Sequence, residues 1–151
     1  MEYDDIEELR RASAAWRLLR ADNAPLILSF LGRVFVDQNA GPQSYAEIAD
    51  RLDDTLYALN RRLGEGSFPR RAKDYIDDWA LPSAGWLRKY YPAGSTEAHV
   101  DATPALERAV SWVRSLPQRT LVGTESRLST AVDLLRQIVF GAETDADARL
   151  Q

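Results

Sequence analysis

The stretch Trp86-Leu-Arg-Lys-Tyr-Tyr-Pro-Ala-Gly-Ser-Thr-Glu-Ala-His-Val-Asp101 decides the fold. Its first six residues are rich in aromatic side chains, which favours a strand, and Pro92-Ala-Gly-Ser95 predicts a turn. The following Glu97–Asp101 segment alternates polar and apolar side chains, as a half-exposed second strand does. The sequence therefore predicts a β-hairpin in a chain whose remaining pattern is helical.

Four helices are predicted before the hairpin, because apolar residues recur there every three or four positions. They are a helix over about Asp4–Arg20, a helix capped by Asp22 or Asn23 and ended by Asn39–Pro42, a helix from the Ser44–Glu47 capping box to Gly64, and a helix with Ala72, Tyr75, Ile76 and Trp79 facing inward.

Two more helices are predicted after the hairpin, one from Thr103-Pro104 to Pro117 and one capped by Thr124. Helices followed by a two-stranded hairpin are typical of a winged-helix domain. We therefore predict a mainly α chain, with a winged-helix domain over residues 1–117 and a helical connector over residues 118–151. The sequence stops at Gln151 inside an unfinished helical pattern, so we expect a piece of a longer protein.

The inventory of chemically reactive residues is small. There is no cysteine, which excludes disulfides, thiol catalysis and cysteine-bound metals. His99 lies near Asp101 but lacks a nucleophile elbow, so we interpret it as a half-exposed strand residue. The pairs Asp53-Asp54 and Asp77-Asp78 diverge around a helix, and Gly64-Glu-Gly66 lacks the lysine of a phosphate loop. We predict a protein that is not an enzyme and holds no metal or cofactor.

The charge balance disfavours DNA contact as the main role. The formal net charge is −4, from 19 basic and 23 acidic residues, whereas dedicated nucleic-acid binders are usually basic. Asp74, Asp77 and Asp78 would repel phosphates at the position of a recognition helix. Possible phosphate contacts from the fourth helix and the wing are Arg70, Arg71, Arg88 and Lys89.

The second predicted helix is apolar around nearly its whole circumference over Ala24–Phe35. Such a helix must be buried on more than one side, and in a small domain one side can meet another chain. This apolar stretch is too short and too polar to span a membrane, and no secretory leader is visible, so we expect a cytoplasmic protein. The candidate dimer-interface residues are Trp16, Leu19, Ile27, Phe30 and Phe35.

A family resemblance extends over essentially the whole chain and is carried by three separated segments. They are Ala15-Trp-Arg-Leu-Leu-Arg-Ala-Asp-Asn-Ala-Pro-Leu-Ile-Leu-Ser-Phe-Leu31, Asp78-Trp79 with Gly85-Trp-Leu-Arg-Lys-Tyr-Tyr-Pro92, and Val122-Gly-Thr-Glu-Ser-Arg-Leu128. These segments resemble the N-terminal region of the kleisin-like JetA subunits of Wadjet systems.

The resemblance implies a role in a bacterial condensin-like complex of the MukBEF type. There an SMC ATPase, a kleisin and a small winged-helix (KITE-type) subunit form a motor that extrudes DNA loops, and a nuclease subunit cuts small circular plasmids. It implies a non-catalytic kleisin whose N-terminal winged helix forms a homodimer, associated with the nucleoid. A following helical region would contact the SMC neck, and candidates for this path are Leu128, Leu135 and Ile138. The alternative, suggested by the arginines, is a winged-helix DNA-binding or regulatory domain.

Overall fold

The computed structural model describes residues 1–117 and Leu135. The chain is mainly helical with one small antiparallel sheet, as the sequence predicts. It divides into two compact units, Met1–Ser111 and Trp112–Gln151. The hydrophobic core and the whole sheet lie in the first unit.

The first predicted helix is interrupted at Ser13. Two helices replace it, α1 (Tyr3–Ala12) and α2 (Ala14–Leu19). Ser13 is extended, with φ −78° and ψ 118°, and its Oγ accepts a hydrogen bond from the Trp16 N–H at 3.2 Å. Serine competes for backbone donors in this way and favours a cap over a helix interior, so the apolar repeat continues while the helix does not.

The second predicted helix is α3 (Ala24–Leu31), continued by a π-helical segment over Gly32–Asp37. The Gln38 N–H donates to the Arg33 carbonyl at 3.0 Å, which is the wider spacing of a π-helix. Burial confirms that this apolar run is covered on more than one side, since seven of its apolar residues are buried. Its core residues are Leu26, Ile27, Phe30, Leu31, Val34 and Phe35, with Ala24 at the edge.

The next two helices follow the prediction closely. Helix α4 (Tyr45–Leu63) begins after Ser44, whose Oγ accepts from the Glu47 N–H at 3.3 Å, and it ends at Gly64. Gly64 has φ +120°, a backbone conformation that side-chain-bearing residues avoid. Helix α5 (Ala72–Trp79) buries the four side chains that the sequence predicts to face inward.

The sheet has three strands in the order β1-β3-β2. The predicted hairpin is confirmed, since β2 (Leu87–Tyr90) pairs antiparallel with β3 (His99–Ala102). The sequence does not indicate β1 (Gln43–Ser44), which pairs with the other side of β3. A two-residue strand has no alternation to read, and it forms because tertiary folding brings it to β3.

Helix α6 (Pro104–Ser115) begins after Thr103, as predicted. The Thr103 Oγ1 donates to the Gly85 carbonyl at 2.7 Å and accepts from the Leu106 N–H at 3.4 Å, so it caps α6 and fastens it to the turn before β2. The helix predicted after Thr124 lies outside the described residues. Within residues 1–117, no helix combines the length and the apolar character that a bilayer crossing requires.

Candidate interaction surfaces

Three of the five predicted dimer-interface residues are buried within the chain. The side chains of Ile27, Phe30 and Phe35 are at most 5% exposed and belong to a core that α4, α5 and α6 complete. That part of the prediction is wrong, because these side chains fill the chain's own core and offer no surface to a partner. Trp16 is 36% exposed and Leu19 is half-buried, so both remain possible contact residues.

Helix α1 carries an apolar stripe that the first unit does not cover. None of its residues is buried, and the stripe formed by Tyr3, Ile6 and Leu9 is between 42% and 77% exposed. Along its polar side, Arg10 pairs with Glu7 and Arg11 pairs with Glu8, one helical turn apart. Pairs of this kind between exposed side chains contribute little to stability. We call this surface the α1 stripe.

An open cleft of about 390 Å³ lies between the end of α2 and the turn that precedes β2. The guanidinium of Arg17 lies in the wall of this cleft. It donates through Nη1 to the Ala12 carbonyl at 3.4 Å and through Nη2 to the Ala84 carbonyl at 3.2 Å. Its Nε is buried without a hydrogen-bond acceptor. We call this site the Arg17 cleft; its lining consists of Arg17, Arg20, Ala21, Asp22, Ser83, Ala84 and Trp86.

Trp86 and Gly85 bring the two walls of the Arg17 cleft together. The Trp86 Nε1–H donates to the Ala14 carbonyl at 2.8 Å, which ties the turn before β2 to the start of α2. Gly85 has φ +74°, and a Cβ built on it would lie 3.4 Å from the Ala14 Cβ. No sequence pattern predicts this cleft, since its two walls are far apart in the chain and no short motif marks either of them.

The predicted phosphate-contacting residues lie mostly in ion pairs with α5. Arg70 pairs with Asp78 at 2.6 Å, and its guanidinium also lies 5.2 Å from the centre of the Tyr75 ring. Arg71 pairs with Asp74 at 3.3 Å. This hydrogen bond is the main reason that the pKa of Asp74 lies below its ordinary value and that the pKa of Arg71 lies above its own.

Lys89 of β2 joins a cluster with two helices. Its Nζ lies 3.2 Å from Asp77 Oδ1 and 4.1 Å from the centre of the Tyr45 ring. The Tyr45 hydroxyl donates to the same Asp77 oxygen at 2.9 Å. Burial, and then the Asp77 hydrogen bond, raise the pKa of Tyr45 to about 12. This cluster connects α4, α5 and the hairpin, so the carboxylate of Asp77 serves the fold.

Arg88 is arranged differently from the other three predicted cations. Its guanidinium stacks on the Tyr90 ring at 4.1 Å, and it pairs with no carboxylate of the described residues. A phosphate would therefore have to compete with a carboxylate for Arg70, Arg71 and Lys89, and only with an aromatic face for Arg88. The α5–hairpin face, made of these four cations and three aspartates, is therefore close to neutral.

Metal-ligating and catalytic side chains are sparse among the described residues. Within residues 1–117, no three metal-ligating side chains of His, Asp or Glu come together. The His99 ring nitrogen Nδ1 lies 3.2 Å from the Glu97 carbonyl, and the ring packs 6.3 Å from that of Tyr90. His99 is half-buried on β3 in the described structure.

The predicted SMC-side seam falls almost entirely beyond the described part of the chain. Leu128 and Ile138 lie outside the described residues. Leu135 is helical and its side chain is exposed. The proposed path toward an SMC neck therefore stays a prediction.

Comparisons with known proteins place the chain in a family. The family model described as "Protein of unknown function (DUF3375)" matches residues 8–151. A protein of Mycolicibacterium smegmatis strain mc(2)155, described as uncharacterized, is 51% identical over 150 residues, or 99% of this chain. The chain spans 32% of the length of that relative. The match over nearly all of its residues shows that the chain belongs to the DUF3375 family.

Proposed function

We propose that this chain is a non-catalytic assembly domain, the N-terminal winged-helix part of a kleisin-like subunit in a Wadjet-type SMC complex. The observation that carries this proposal is the α1 stripe. Its apolar side chains are exposed along a whole helix that the first unit does not cover. Exposed apolar surface of this kind marks a contact with another macromolecule.

The order of elements supports a winged-helix arrangement. From α3 onward the chain runs helix, short strand, two helices and then a hairpin, and β1 adds to the hairpin through β3. A winged helix has this order, with the hairpin as its wing. Helix α5 then stands where such domains place their recognition helix, and it presents Asp74, Asp77 and Asp78.

The charges favour a protein partner over DNA at this position. Most cations of the α5–hairpin face are engaged by carboxylates of the same face. Phosphate binding gains affinity by releasing counterions from the DNA, and a cation already paired with a carboxylate contributes little to that gain. DNA contact is thus secondary in the proposed role.

The proposed mechanism is architectural. Two copies of the domain join two motor units, each built from an SMC ATPase, the kleisin and a KITE-type subunit. In this proposal, the connector predicted over residues 118–151 leads toward the SMC neck through Leu128, Leu135 and Ile138. The motors extrude DNA loops, and the complex acts against plasmids. The three sequence segments that resemble JetA support this assignment.

Light scattering after size exclusion tests the assembly role. We expect the 151-residue chain to elute as a dimer at tens of micromolar. A strict monomer across that range would overturn the proposed assembly role. The wider system is tested at the genome, where we expect genes for an SMC-type ATPase and a nuclease beside the gene for this chain; their absence across several family members would overturn the Wadjet assignment.

A second candidate function is a DNA-binding or regulatory winged helix, and Arg88 is the observation that favours it. This arginine lies on the wing without a carboxylate partner among the described residues. A band-shift titration at low salt distinguishes the two roles. Binding that weakens steeply as salt rises would favour the DNA reader, whereas no shift at micromolar protein would reject it.

A further inference from the structure

Helix α1 is short, and the first unit buries none of its side chains. Isolated helices below about 12–15 residues are marginal in water, and most helices in proteins gain stability by packing an apolar face. α1 has 10 residues and no buried side chain. Its stripe of Tyr3, Ile6 and Leu9 therefore calls for a surface that the first unit does not provide.

The Arg17 cleft lacks enough negative charge to pair with its arginines. Its two arginines face one carboxylate, Asp22, in the lining, so the cleft keeps a positive charge. Arg17 makes its hydrogen bonds to backbone carbonyls, and no carboxylate of the described residues pairs with it. Half-buried cations are normally paired, so the cleft suits an incoming acidic group.

The first turn of α1 supplies such a group. This end of the helix carries three acidic residues, Glu2, Asp4 and Asp5. Asp5 already has a partner, because its Oδ2 accepts a hydrogen bond from the Glu2 N–H at 2.9 Å. Asp4 is exposed and has no partner among the described residues. Its carboxylate is therefore free to meet a cation.

The Asp4 of one chain cannot enter its own Arg17 cleft. The last residue of α1, Ala12, already gives its carbonyl to Arg17. A helix rises about 1.5 Å per residue, so Asp4 lies about 12 Å farther along the axis, at the opposite end of α1. An acidic first turn reaches the cleft only if it belongs to another copy whose α1 runs in the opposite direction.

We infer that two copies of this chain pair through antiparallel α1 helices, with the acidic first turn of each helix at the Arg17 cleft of the other. In this arrangement, Ile6 of one copy lies against Leu9 of its partner, and the two apolar stripes cover each other. Both contacts occur twice around a two-fold axis, as in isologous dimers. The inference rests on the proposed assembly function and names the surface that performs it.

Charge reversal on each side of the contact tests the inference. The acidic-side variant is Glu2→Lys with Asp4→Lys, and the basic-side variant is Arg17→Glu with Arg20→Glu. We expect each variant alone to dimerise about tenfold more weakly or worse. An equimolar mixture should dimerise again, because a basic first turn then meets an acidic cleft and an acidic first turn meets a basic cleft. Sedimentation equilibrium of the three samples provides the measurement.

Two further variants keep the test independent of folding. Ile6→Asp with Leu9→Asp changes only exposed residues of α1, so the core is untouched and dimerisation should be lost. Asp53→Asn with Asp54→Asn is the control on exposed α4 positions, and it should leave the dimer unchanged. Circular dichroism verifies each fold.

The outcomes separate this inference from the proposed function. A wild-type dimer that survives the α1 stripe variant and both charge reversals would overturn antiparallel pairing and leave an assembly role through another surface. Charge variants that dissociate without rescue in the mixture would overturn the contact between the first turn and the cleft. A wild-type chain that stays monomeric at tens of micromolar would overturn both proposals.

Discussion

Asp77 shows how a residue that resembles a functional carboxylate serves the fold. Its Oδ1 accepts from the Tyr45 hydroxyl and pairs with Lys89, so one oxygen connects α4, α5 and β2. Its neighbour Asp78 turns to another side of the helix and holds Arg70. Helix geometry predicts that two adjacent carboxylates diverge, and their separate partners confirm it.

Tyr45 should make stability depend on pH in the alkaline range. Its pKa in the folded chain is about 12, against an ordinary value of 10.0. Between about pH 10 and about pH 12 the folded state keeps a proton that the unfolded chain releases, so the free energy of unfolding falls as the pH rises through this window. Urea unfolding at several alkaline pH values should show a shallower fall in Tyr45→Phe, while Tyr91→Phe, on an exposed tyrosine, should follow wild type.

Trp86 should contribute to stability through a single hydrogen bond as well as through packing. Trp86→Phe removes the indole donor and leaves the Ala14 carbonyl without it, at a cost of about 1–3 kcal/mol. Trp112→Phe makes the same chemical change at an exposed site and should cost about 0.5 kcal/mol or less. Equal midpoints of urea unfolding for the two variants would contradict the role given to this hydrogen bond.

At the scale of elements, caps decide where helices begin even when apolar periodicity continues. Periodicity alone predicts one helix through Asp4–Arg20, yet Ser13 divides it. At Ser44 the cap and the periodicity agree, and α4 begins where predicted. The difference arises because a serine inside an apolar repeat can either continue a helix or cap the next one, and neighbouring packing decides between the two.

Ser44→Ala should destabilise the chain by about 1–2 kcal/mol. The Ser44 Oγ accepts from the Glu47 N–H and donates to Glu97 Oε2 at 3.3 Å, so the change removes a helix cap and a link to the hairpin. Ser111→Ala, on an exposed position of α6, should stay within about 0.5 kcal/mol of wild type. Thermal unfolding followed at a helical wavelength compares the two, and a neutral Ser44→Ala would contradict the capping role.

At the scale of the whole molecule, most cations are paired where a DNA reader would expose them, whereas the groups that are proposed to join two copies are unpaired within the described residues. The aspartates of α5 pair with Arg70, Arg71 and Lys89. Arg17 and Asp4 have no charged partner among the described residues. The formal net charge of −4 is therefore the sum of paired and unpaired groups that lie on different surfaces.

Removing the α5 carboxylates should create DNA affinity. Asp74→Asn with Asp77→Asn and Asp78→Asn releases three cations, and we expect salt-dependent, non-specific binding with a Kd of about 10⁻⁴–10⁻⁶ M. The control, Asp50→Asn with Asp53→Asn and Asp54→Asn, changes the net charge equally on exposed positions of α4. Band shifts at low salt compare both with wild type, and equal binding by the two triple variants would show that net charge matters and pairing does not.

The residues that sequence reasoning located well are those whose structure depends on near neighbours. The inward positions of α5, the end of α4 at Gly64 and the hairpin all follow from spacing, caps and turn residues within a few positions. The error at Ile27, Phe30 and Phe35 has a different origin. Periodicity shows that a helix is apolar all round, but it does not show whether the chain itself or a partner covers each side.

By itself, the sequence determined the helical pattern, the hairpin and the shortage of reactive side chains. Only the tertiary structure decided that the chain's own core covers α3 and that β1 pairs with β3. It also decided that Arg17 lies in a cleft together with Ala84 and Trp86. The physical reason is distance along the chain. Helices and turns form from neighbouring residues, whereas a cleft or an uncovered face exists only after remote segments have packed together.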